Sequence, residues 1–126
     1  MLVHTDLATT GDPARLLERA LAEAGLAHAK LHHASLGPQL WADVRTRSPR
    51  LVVAIGRPAA EVLLGRTIRL SLERGRVMAF GDGRRLLLTE SPAAVLGLSD
   101  AVARGREYRR LVNDLLHAVP YGRRAA

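Results

Sequence analysis

The sequence predicts an α/β domain, a three-layer α/β/α arrangement around a short, mostly parallel, four-stranded central sheet. Three observations lead there. Short apolar or β-branched runs alternate with stretches of helical periodicity along the whole chain. One run, Leu51–Val52–Val53–Ala54–Ile55, is unbroken, as expected of a central strand covered on both faces. The 126 residues, 48% of them hydrophobic, suit a single domain over 1–126 with a real core and a flexible basic tail at 120–126.

"MLVHTD" opens the chain as a short buried strand. In "TTGDP", Asp12 is the expected N-cap, with Pro13 at the first helical position. Leu16, Leu17, Ala20, Leu21 and Ala24 then follow at helical spacing up to Gly25. "HAKLHHA" alternates like a strand, and "PQLWADVRTR" reads as a helix stopped by Ser48-Pro49. After Leu51–Ile55 the chain turns through "GRPA" into the helix "AAEVLLG". "RVMAF-GDG-RRLLLTE" reads as two strands around a Gly-Asp-Gly turn. A last helix from about Asp100 to His117 is expected to bury Tyr108, Leu111, Val112, Leu115 and Leu116, with Val119 following, and to expose Arg104, Arg106, Arg109 and Arg110.

The net charge is +7 and uneven: residues 1–56 hold 6 Lys+Arg against 5 Asp+Glu, residues 57–126 hold 13 against 7. All the basic residues but Lys30 are arginine. Such an excess points to an anionic partner, nucleic acid first, on a basic face of Arg84, Arg85, Arg104, Arg106, Arg109 and Arg110. Few aromatic side chains are available for stacking on bases. No apolar run approaches the roughly 18 residues of a membrane span and no signal-peptide pattern opens the chain, so a cytoplasmic, nucleoid-associated protein without membrane contact is expected. With no cysteine there is no disulfide, thiolate metal site or cysteine-ligated iron–sulfur cluster, and no cofactor is expected.

Several residues are candidates for chemistry. Gly56 and Arg57 lie where a strand feeds a helix, a place for holding a phosphate on backbone N–H groups or simply a turn; Pro58 removes one such donor. Asp6 ends the first strand, as a general base or as a cap of its own loop. Of His32 and His33, one is expected at the end of the second strand and the other inside a layer; no third ligand makes a metal site. Asp43, Glu61, Glu73 and Asp114 lie beside arginines and read as solvated pairs. No Ser-His-Asp order, Walker loop or G-x-G-x-x-G occurs, which disfavours acyl transfer, nucleotide hydrolysis and dinucleotide binding.

Taken in order, "LVVAIGRPAAEVLLG", "ERGRV", "LLLTESPAAVLG" and "REYRRLVNDLLHA" resemble the C-terminal half of the uracil-DNA glycosylase superfamily, its family-4-like members most closely, over residues 51–118. "HTDLATTGDP", and Ser-Pro before a short loop and the final helix, are also similar to the psi subunits of the bacterial DNA polymerase III clamp loader. The resemblance implies base flipping, an activated water and stabilisation of the departing base. It makes Ser91, Pro92 and Ala93 part of a ligand or DNA loop, together with Gly56 and Arg57.

Four chemical positions depart from the family pattern. "HTDLAT" replaces the water-activating motif, leaving Asp6 as the nearby carboxylate; His33 stands for the uracil-reading Asn, Ser91 for the His donor, and Gly97 for the loop's closing Arg. Losing a positioned donor costs roughly 10²–10³ in rate and losing a general base roughly 10²–10⁴. The expectation is therefore a non-catalytic module binding DNA or replication and repair proteins, such as a polymerase or clamp-loader assembly. The alternatives are a monofunctional DNA glycosylase of altered specificity using Asp6, His33 and Ser91, and sequence-independent DNA binding.

Overall fold

The structure, a computed structural model, describes residues 2–4, 11–27, 33–35, 37–81 and 83–122. It is a mixed α/β fold. The strands are β1 (Leu2–His4), β2 (His33–Ser35), β3 (Leu51–Ile55), β4 (Val77–Phe80) and β5 (Arg84–Thr89). The longer helices are α1 (Asp12–Glu23), α2 (Leu40–Arg47), α3 (Arg57–Leu64) and α6 (Ala101–Leu116). Single turns form α4 (Leu70–Glu73), α5 (Pro92–Leu96) and α7 (Val119–Gly122).

The sheet has five strands in the order β2-β1-β3-β5-β4, which corrects the expected four. Strands β2, β1, β3 and β5 are mutually parallel. The fifth, β4, pairs antiparallel with β5 because the Gly81–Gly83 turn folds the two into a hairpin. Strand direction explains the helix positions. The step from β1 to β2 moves one way across the sheet, and the steps to β3 and β5 move the other. Right-handed crossovers then place α1 on one face and α2 and α3 on the opposite one.

Side chains follow that division. Leu51, Val53, Ile55 and Leu87 pack with Leu17 and Leu21 of α1 and Leu111 and Leu115 of α6. Val52, Ala54, Leu86 and Leu88 pack with Leu40 and Val44 of α2 and Ala59, Ala60 and Leu63 of α3. All five residues of β3 are buried, so an unbroken apolar run was required there.

Several local expectations are corrected. Gly11, with φ 98°, is the N-cap of α1; Asp12 lies inside the first turn, where it pairs with Arg15. The other end of α1 closes as a Schellman motif: Gly25 N–H donates to Ala22 O and Leu26 N–H to Leu21 O. Ser48 in the left-handed region ends α2 ahead of Pro49. The tail expected from 120 begins as the α7 turn, and residues 123–126 lie outside the described set. Leu116, expected in the core, is 45% exposed, because Leu111 and Leu115 already fill the buried side of α6. Tyr108 is half-buried between α6 and α1: its hydroxyl bonds Glu23, and the Arg19 guanidinium lies 4.8 Å over its ring.

Candidate functional site at the carboxyl ends of β3 and β5

In an open α/β sheet, ligands bind beyond the carboxyl ends of the strands, where the strand order reverses. Here that reversal lies between β1 and β3. Beyond β3 and β5 an open cleft of about 910 Å³ is lined by Gly56, Arg57, Pro58, the 67–72 segment, Glu90, Ser91 and Ala93. The family-like loop residues Gly56, Arg57, Ser91 and Ala93 therefore line one cleft, with Pro92 buried beneath Ser91 and Ala93.

The two loops are joined through the backbone. Gly56 N–H donates to Thr89 O at 2.8 Å. A Cβ at Gly56 would meet the Ser91 Cβ at 3.4 Å, on a φ of 94° that favours glycine. Ser91 is the N-cap of α5: its Oγ accepts from Ala94 N–H at 3.1 Å. Glu90 Oε1 accepts from Ser91 N–H at 2.8 Å, so the one carboxylate beside Ser91 is turned back onto the loop.

The cleft wall opposite is built around Glu61. Its Oε2 accepts from Ile68 N–H at 3.1 Å and from Arg57 Nε at 3.0 Å. The Ile68 N–H first and the Arg57 guanidinium second hold the Glu61 carboxyl below its usual range. Glu73 is held low in the same way, by Arg66 and then by Arg69 N–H.

Beneath the rim lies a network that sequence reading missed. Asp114, expected to be solvated, is buried. Its Oδ2 accepts from Thr89 Oγ1 at 2.8 Å and from Arg74 Nε at 2.7 Å, while Arg74 also pairs with Glu107. Burial disfavours the Arg74 charge, but the hydrogen bonds it donates to Glu107 and Asp114 outweigh it and hold the guanidinium above its ordinary value. Gly75 leaves no room for a side chain, since a Cβ would lie 2.6 Å from Asp114 Oδ1. "ERGRV" and "NDLL" are thus two halves of one contact. The signal was an arginine–glycine pair and a lone Asp on the apolar side of a helix, forty residues apart.

The other candidates lie elsewhere. His33 opens β2 instead of ending it, and it is exposed. Register aligns it with Leu2, Val53 and Leu87, two residues short of Thr89, or about 7 Å below the rim. Asp6 and His32 lie outside the described residues. On α6, Arg106, Arg109 and Arg110 are exposed, whereas Arg104 is half-buried and donates to Leu98 O and Ser99 O. Arg84 and Arg85 begin β5, at the far end of the strand from the cleft.

Among the described residues no group of three or more His, Cys, Asp or Glu could hold a metal ion, and no helix is long and apolar enough to cross a membrane. No protein-family model matches the chain, and no curated protein matches it.

Proposed function

We propose that the chain is a non-catalytic module of uracil-DNA glycosylase-like, three-layer fold that serves as a binding or assembly subunit in DNA replication or repair. The observation that carries this reading is the state of Ser91. Its oxygen accepts the Ala94 N–H as a helix cap, and its neighbour Glu90 is tied to the Ser91 N–H. Where the resemblance expects an imidazole donor to a departing base there is thus a short neutral hydroxyl oriented by the loop's own cap, and the neighbouring carboxylate is engaged with the backbone. His33, away from the rim, supports the same conclusion. Four parallel strands in the order β2-β1-β3-β5 support the finer fold reading.

Incubation of uracil-, hypoxanthine- and mismatch-containing oligonucleotides with stoichiometric protein is expected to leave no abasic sites. Abasic product removed by Ser91→Ala would overturn the proposal. It would favour the second reading, an active glycosylase, which the open cleft of about 910 Å³ beside Ser91 supports.

A further inference from the structure

Among the described residues, arginines without acidic partners gather at the end of the sheet opposite the cleft. Leu51 of β3 pairs with Arg85 of the neighbouring parallel strand, so Arg50 and Arg84 flank the same register position, on strands about 4.8 Å apart. Helix α2 is held at this corner by both ends. Its first turn places Trp41 on Phe80, ring centres 6.0 Å apart, and Phe80 is the ladder partner of Arg84. Its last turn, carrying Arg45 and Arg47, leads through residues 48–50 into Leu51.

Arg45, Arg47, Arg50 and Arg85 are exposed and Arg84 is half-buried. None of the five makes an ion pair or side-chain hydrogen bond among the described residues, whereas at the cleft end Arg57, Arg66 and Arg74 all face carboxylates. Asp43 is the acidic residue of α2, and it forms no ion pair with the arginines that follow it. Trp41 adds an aromatic surface: one side stacks on Phe80, and the residue remains 41% exposed.

Unpaired guanidinium groups suit a phosphodiester backbone. An accessible indole beside them suits a base whose face is free, which a single strand offers and a duplex hides. We propose that this corner binds single-stranded nucleic acid, with phosphates on Arg45, Arg47, Arg50 and Arg84 and one base against Trp41; Arg85, in register with Leu51, belongs to the opposite face of the sheet. The surface is separate from the cleft and does not depend on what the cleft does.

Trp41 is the only tryptophan of the chain, so its fluorescence reports on the surface directly. Titration of the full chain with an oligo-dT strand at low salt is expected to quench it. Four phosphate contacts give a slope of log affinity against log salt of roughly −2.8, from about −0.7 per contact on a single strand. Arg45→Glu with Arg50→Glu is expected to weaken binding more than tenfold, with folding checked by circular dichroism. Arg47→Ala alone, a milder change at an exposed position, is expected to flatten the slope by about 0.7. Arg57→Ala with Arg69→Ala, at the cleft, is expected to weaken binding far less than the corner variants do. Absence of quenching, binding lost in the cleft variant instead, or equal quenching by duplex DNA or polyglutamate would each overturn the proposal. The oligonucleotide cleavage assay is unaffected by any of these results.

Discussion

Ser91 and Asp114 show how single side chains set the shape of the cleft. With Ser91 replaced by Ala, the α5 N-cap is lost, which costs about 1 kcal/mol. Asp keeps a capping oxygen, so Ser91→Asp is expected to melt close to the parent protein and Ser91→Ala several degrees lower, as read by circular dichroism. Asp114 carries more, because one of its oxygens serves both Thr89 and Arg74. Asp114→Ala leaves the buried Arg74 with Glu107 alone, and a urea midpoint corresponding to a loss of about 3 kcal/mol is expected. Adding Arg74→Met removes the stranded charge as well. The double variant is then expected to recover much of that loss; if the two effects merely add, the clasp is not the coupled unit its geometry describes.

At the scale of elements, Glu61 and Glu73 join segments that periodicity could not place. Glu61 ties α3 to the backbone of Ile68, and Glu73 accepts from Arg69 N–H at 2.8 Å at the start of α4. Both carboxyls are held below the ordinary value of 4.5. A depressed carboxyl stabilises the fold above its unfolded pKa, and that contribution is lost as pH falls through the lower folded value. Urea midpoints are therefore expected to be insensitive to these two groups from pH 7 to about 5 and to decline below about 4.5. Glu61→Gln with Glu73→Gln should flatten that decline; an unchanged acid limb would separate these bonds from stability. The sequence left α4 unmarked for a related reason: four residues held by side-chain bonds to Glu73 display no apolar period. For β2, alternation extended over 28–34, of which 28–32 lie outside the described residues, and the described strand pairs His33 with Leu2. Alternation identifies a strand; it does not say where a parallel partner takes hold.

Across the whole molecule, the alternation of apolar runs with helical stretches was enough to read an α/β class and the central place of β3. Gly56, Arg57, Ser91 and Ala93 come to one cleft because Gly56 follows β3 directly and Ser91 lies two residues beyond β5. What escaped the sequence depends on which strands become neighbours. Arg74 meets Asp114 only because β5 brings Thr89 beneath α6, and Arg50 comes level with Arg84 only because β3 and β5 are adjacent. Charge was read as a property of the second half of the chain, while the fold distributes it between the two ends of the sheet.

The borders of that sheet have a bearing on how the protein can associate. Among the described residues it is bounded by β2 with three residues on one side and β4 with four on the other. Rows of unpaired main-chain groups this short offer an incoming strand only a few ladder bonds, which disfavours both fibril-like stacking of copies and capture of an extended peptide by strand addition. On the two proposals above, recognition falls to side chains: those around the cleft at one end and the arginines at the other.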